Sequence, residues 1–211
     1  MELFARKIEN LTDARYFAAW NIDYLSFELP HADGSSSISM ADITEIKNWL
    51  SGPAYIGEYA MGFSWEEIEH LNEQLNLDHI CIDQFFDFDQ IPSTIESPIF
   101  IQCHIDDKEQ ATNFLNKAST FTFPFHLILS SSTASFVSYK DIVTQINLLN
   151  TNKKNWLDFP MTTSDAEKLD TSHYELGICF RGGMEEKVGV KSFDQLDEIF
   201  EILESKGLAG F

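Results

Sequence analysis

Arg181 stands directly before a glycine pair, Gly182-Gly183, in the stretch FRGGMEEKVGVK (180–191). The chain holds three arginines, and a second one, Arg6, lies in the run ELFARK near the N-terminus. A guanidinium offers planar, forked donors that match phosphate or carboxylate, so two of them at strand ends would make an anion site. Adjacent glycines let the backbone approach a phosphate closely and present N–H groups to it. The plainer readings are a salt bridge for each arginine, with 34 acids available, and a tight turn for the glycines. Glu58, Asp83, Cys103 and His104 form a second set. Carboxylates beside an imidazole do acid–base work or hold a metal. Period-two alternation turns only some of this set inward, Cys103 reads as core, and no metal or other cofactor is expected. Arg15 falls inside a helical segment and reads as a surface residue.

Positioning these groups requires strands, and the sequence supplies eight apolar runs. They are ELFARK (2–7), YLSFEL (24–29), PAYIGEY (53–59), HICID (79–83), PIFIQC (98–103), FHLIL (125–129), NWLDF (155–159) and LGICF (176–180). Several are continuously apolar, as in parallel strands covered on both faces. Helix starts lie between them: Asn10, Ser39, Ser64 with Glu67 as a capping box, Thr163 or Ser164, and Ser192 with Gln195. Further helices are expected over 106–118 and 138–149, and Gly207 reads as the C-cap of the last one. The connection QFFDFDQIPSTIES (84–97) contains Pro92 and supports one helical turn at most. Eight strands with intervening helices and no linker predict a single (β/α)8 barrel, an α/β fold, over residues 1–211. The rival is an open doubly wound sheet, which normally has fewer strands and a Gly-rich first turn. In a barrel, Arg6 and Arg181 end strands that become neighbours on closure. Function then sits at the C-terminal strand ends.

Composition limits the partners. A formal net charge of −20 argues against nucleic acid and anionic membranes, both of which attract basic surfaces. No apolar run approaches the roughly 20 residues of a membrane span, and MELFARKIENL lacks a signal peptide's apolar segment, so a cytoplasmic protein is expected. The cysteines, Cys81, Cys103 and Cys179, are three in number with no CxxC pair, which fits reduced thiols in apolar strands. The expected partner is an anionic small molecule, with a protein partner also open.

Three stretches, IENLTDARYFAAWNIDYLSFEL (8–29), SWEEIEHLNEQLNLDHICID (64–83) and RGGMEEKVGVKSFDQLDEIF (181–200), carry a family resemblance. In that order they resemble phosphoribosylanthranilate isomerase, the barrel enzyme of tryptophan biosynthesis, over essentially the whole chain. The last stretch is the most specific: Gly183, Glu185, Gly189 and Lys191 coincide with the family's SSGVE…GVK. The resemblance implies a barrel and a phosphosugar ligand held in part by Gly182 and Gly183. It also places departures at the family's functional positions. The cysteine of KICG, the family's general base, corresponds to Arg6 without a gap or to Glu9 with one. The general-acid aspartate ending strand six corresponds to Ser130. The arginine of SPRYVSP falls at Ser36, the glycine pair after strand seven at Phe159-Pro160, and the histidine of VQLHG at Asp83. An Amadori rearrangement needs an acid and a base, and arginine, with a pKa above roughly 12, cannot be that base near neutral pH. Three readings follow: a homologue without the parent activity that binds an anionic metabolite or a protein; a working isomerase with its acid and base drawn from Asp83, Glu58 or His104; or a related phosphosugar enzyme.

Overall fold

In the computed structural model, residues 1–30, 38–133, 154–169, 176–182, 184–187 and 190–209 are described. Elements alternate as β1 (Glu2–Arg6), α1 (Leu11–Ala19), β2 (Tyr24–Glu28), α2 (Met40–Trp49), β3 (Ala54–Tyr59), α3 (Trp65–Gln74), β4 (His79–Asp83) and β5 (Ile99–His104). After these come α4 (Lys108–Ala118), β6 (Phe125–Ser130), β7 (Asn155–Asp158), α5 (Thr163–Lys168), β8 (Leu176–Arg181) and α6 (Asp194–Ser205). The eight strands are parallel and close in chain order. β8 pairs back onto β1 from Glu2↔Gly177 to Arg6↔Arg181, so the open-sheet alternative is excluded and the barrel expectation holds.

Local chemistry explains where the elements begin. Asn10 Oδ1 accepts from Asp13 N (2.9 Å) to start α1. Ser39 with Asp42 and Ser64 with Glu67 make reciprocal capping boxes on α2 and α3. Thr162 with Asp165 does the same one residue ahead of the expected start of α5. The expected Ser192–Gln195 cap is corrected: α6 begins after Phe193, which makes no side-chain cap, while Ser192 Oγ accepts from Asp194 N. Gly207 takes φ +67, the left-handed stop expected there. A single 3₁₀ turn, Phe88–Gln90, fills the Pro92 connection. The stretch after Arg181, expected as loop, contains an antiparallel pair, β9 (Met184–Lys187) and β10 (Val190–Ser192). The helix expected over 138–149 lies outside the described residues.

The barrel interior fills in layers supplied by alternate strands, as closure and the two-residue repeat require. Phe4, Ile56, Phe100 and Trp156 come from β1, β3, β5 and β7 and are all buried. Phe100 meets Phe4 at 5.7 Å and Trp156 at 5.0 Å between ring centroids. Trp156 fits because β8 carries Gly177 beside it: a Cβ there would lie 2.2 Å from the indole ring. Nearer the C-terminal end, Cys81, Ile128 and Cys179 from β4, β6 and β8 continue the apolar filling. Outside the barrel, Phe17, Ile43, Ile46, Ile68, Phe114 and Phe200 pack the helices onto the strands.

Candidate functional site

One register above the aromatic layer, the same four odd-numbered strands present Arg6, Glu58, Gln102 and Asp158. Arg6 is fully buried and sits among the other three. Its Nε and Nη2 donate to the two oxygens of Glu58 (3.0 and 2.6 Å), a bidentate fork. Nη1 donates to Asp158 Oδ2 (2.6 Å) and Nη2 also to Gln102 Oε1 (2.6 Å). Burial works against the Arg6 charge, but Glu58 and Asp158 outweigh it and hold the guanidinium protonated beyond its ordinary range. Burial likewise pushes Glu58 and Asp158 up, and Arg6 reverses this, leaving both carboxyls below their usual range. Ser26 Oγ donates to Glu58 Oε1. Two positive and two negative charges meet once Arg181 is included, because its Nη2 donates to the same Asp158 Oδ2 at 2.8 Å. Ser130 Oγ reaches that oxygen as well, at 3.2 Å.

Arg6 and Arg181 are thus brought together as expected, but through a shared carboxylate. Arg6 faces carboxylates and is sealed from solvent, while the Arg181 side chain is 54% exposed. Gly182 follows it, where an added Cβ would come within 2.8 Å of the buried Asp13 carboxylate, so this turn packs tightly against the start of α1. Gly183 lies outside the described residues, as does Ser36. Lys7, just past β1, adopts φ +53 and pairs with Glu28 at 3.0 Å; this left-handed residue is why β1 ends one position earlier than expected. Glu9 is exposed and lies beyond the strand.

On the opposite side of the mouth, His104 Nε2 lies 2.8 Å from Asp83 Oδ2. Phe85 N donates to Asp83 Oδ1 (3.0 Å) and His104 N to Gln84 Oε1 (2.8 Å), which fixes both strand ends. The expected grouping of Glu58 with this pair is only partial. Glu58 belongs to the Arg6 layer, and Gln102 stands between, its Nε2 3.4 Å from His104 Nε2. Cys103 points into the core as expected, and burial pushes its thiol up to about 12. No cluster of three or more metal-ligating side chains occurs among the described residues. No described helix is long and apolar enough to cross a membrane.

A cavity of about 570 Å³ opens over this mouth. Its polar wall is formed by Lys7, Gln102, His104, Ser130–Ser132, Asp158 and Arg181, and its apolar wall by Phe159, Pro160, Met161, Phe180, Leu196 and Ile199. A smaller cavity of about 150 Å³ adjoins it and shares Lys7, Gln102 and His104. Asp106, after β5, holds the far rim: it accepts from Ser131 Oγ, Ser132 N (3.2 Å) and Thr133 Oγ1 (2.9 Å). These donors, led by Ser131, lower its pKa to about 2. Sequence reasoning had not picked out Asp158, Gln102 or Asp106. The available signal was position: Asp158 and Gln102 lie two residues beyond the inward Trp156 and Phe100, in the direction of the strand ends.

Solved structures share this architecture along the whole chain. Phosphoribosylanthranilate isomerase from Thermus thermophilus superposes with a TM-score of 0.73 at 17% identity, covering 98% of this chain and 100% of that one. Phosphoribosylanthranilate isomerase in complex with reduced 1-(o-carboxyphenylamino)-1-deoxyribulose 5-phosphate gives 0.71 at 17% identity, with 99% and 100% covered. The 3-hexulose-6-phosphate synthase of Salmonella typhimurium gives 0.63 at 13% identity, with 97% and 99% covered. No protein-family model and no curated protein matches the chain. The likeness is one of fold.

Proposed function

We propose that this isomerase-like barrel lacks the Amadori acid–base pair and binds a phosphorylated small molecule over its C-terminal mouth. The observation that carries the reading is the shared oxygen of Asp158. Arg6, at the ungapped position of the family's basic cysteine, donates to Asp158 Oδ2 at 2.6 Å, and Ser130, at the position of its acid, lies 3.2 Å from the same atom. The left-handed Lys7 supports the ungapped register, since it falls where KICG has its glycine. Neither residue at these two positions has a proton-transfer role open to it: one is a permanently charged guanidinium, the other a hydroxyl directed at a carboxylate.

Support for an anionic ligand comes from Arg181 and Lys7, which line the cavity. The isomerase neighbour holds a deoxyribulose 5-phosphate analogue, and the synthase neighbour is named for a hexulose 6-phosphate. Arg181 is the residue assigned to the phosphate, and Gly182 is assigned to the tight packing beside it. Arg6 contributes through Asp158, which it holds in place, and not by touching the ligand.

Two measurements test this. Purified protein should not convert phosphoribosylanthranilate; turnover, or rescue of a tryptophan auxotroph lacking that step, would sink the loss of activity. Calorimetric titration with ribulose 5-phosphate should show binding that weakens about tenfold or more in Arg181→Ala, the loss expected for a charge-assisted hydrogen bond. Equal affinity in both proteins would remove Arg181 from the site.

A further inference from the structure

We infer that Asp83 and His104 form a general-base dyad that removes a proton from the carbon beside the carbonyl of a phosphorylated ketose bound in the larger cavity. This rests on the ligand class proposed above and adds a reaction to it.

The geometry is that of an oriented imidazole. Asp83 ends β4 and His104 ends β5, adjacent strands whose register joins Asp83 to Gln102. The 2.8 Å contact from Asp83 Oδ2 to Nε2 is shorter than the 3.4 Å contact from Gln102, so Nε2 carries the proton and donates it as a hydrogen bond to the carboxylate. That leaves Nδ1 with its lone pair, the form a base requires. The carboxylate cannot swing freely, because its other oxygen accepts from Phe85 N at 3.0 Å. Gln84, itself buried, holds the His104 backbone through its side chain and bonds Gln102 O through its own N–H (2.9 Å). Gln102 is oriented in turn by Arg6, which occupies its amide oxygen. A pair serving only to tie two loops would be indifferent to the cavity, yet the His104 side chain is 43% exposed and lines both cavities.

The step balances without a further reactant. Nδ1 of His104 takes the proton from the carbon. The C–H pair becomes the C=C bond of an enediolate, and the carbonyl π pair moves onto oxygen. Lys7, which lines both cavities, supplies positive charge for that oxygen. Return of a proton from His104 regenerates the ketose, so in D₂O the carbon acquires deuterium. His104 is the catalytic residue here; Asp83 is a positioning residue acting through it.

The full chain is incubated with ribulose 5-phosphate in D₂O, exchange is followed by loss of the ¹H signal beside the carbonyl, and binding is measured in parallel by calorimetry. Wild type should exchange. His104→Gln should lose about 10²-fold or more in exchange rate at saturating sugar while Kd stays within about threefold. Asp83→Asn should show the same split, a fall in rate without a matching change in Kd, which a purely structural role would not produce. Imidazole added to His104→Ala should restore part of the exchange. Binding without exchange in wild type, or undiminished exchange in His104→Gln, overturns the dyad and leaves the binding proposal standing. Absence of binding by wild type overturns both.

Discussion

Arg6 shows how one buried charge changes what its neighbours can do. Its partners lie 52, 96 and 152 residues along the chain, and each contact is 3.0 Å or less. Replacing it by methionine leaves Glu58 buried without its forked partner and Asp158 with Arg181 as its remaining cation, so we expect a loss of about 3–5 kcal/mol in denaturant unfolding. The pH response has a definite sign. A carboxyl held below its ordinary range adds stability above its unfolded pKa and loses it as pH falls through the folded value. Wild type should therefore hold until the pH drops below about 4, where ordinary carboxyls titrate. In Arg6→Met, burial of Glu58 is opposed only by Ser26 and Lys7, and burial of Asp158 only by Arg181 and Ser130, so the acid midpoint followed by circular dichroism should move to higher pH. An unchanged midpoint would show that the ion layer contributes nothing net. The sequence made Arg6 conspicuous by its rarity and its strand-end position. It could not show the carboxylates around it, because separations of that size become contacts only when the barrel closes.

At the scale of elements, what was legible is what is local. The caps at Asn10, Ser39 and Ser64 are contacts across three residues, so their chemistry is written in adjacent letters. The start of α6 and the β9–β10 pair escaped for the opposite reason: Phe193 has no side-chain cap, and short strand pairing is decided by context more than by propensity. Gly177 is a further case. In sequence it is one more residue of an apolar run; in the barrel it makes the space that Trp156 fills. Gly177→Ala should destabilise the fold by roughly 1–3 kcal/mol through overpacking, read as a lower urea midpoint with unchanged slope. Because Trp156 is buried and central, its emission should shift in the same variant. A variant as stable as wild type would mean that the indole moves aside without cost.

For the molecule as a whole, eight apolar strands and a repeating helix pattern were enough to predict the barrel, since closure follows from topology and not from any one contact. The surface charge adds an expectation of its own. A net charge of −20 repels itself across a compact particle, and salt screens that repulsion with a Debye length of about 10 Å at 0.1 M. The melting temperature should rise between 10 mM and 300 mM NaCl, against the usual weakening of surface ion pairs; a fall would show that local pairs such as Lys7–Glu28 outweigh the global term. The Arg6 layer also constrains how this barrel can change. Installing a cysteine at position 6 and an aspartate at position 130 would not be two independent edits. The first removes the forked partner of Glu58 and leaves Asp158 to Arg181 alone, and the second adds a third carboxylate beside Asp158 Oδ2, where Ser130 now lies at 3.2 Å. Substitutions sharing one network are coupled by about 0.5–3 kcal/mol. A cysteine and an aspartate at these two positions therefore call for compensating changes at Glu58 and Asp158, because all four side chains would share one network.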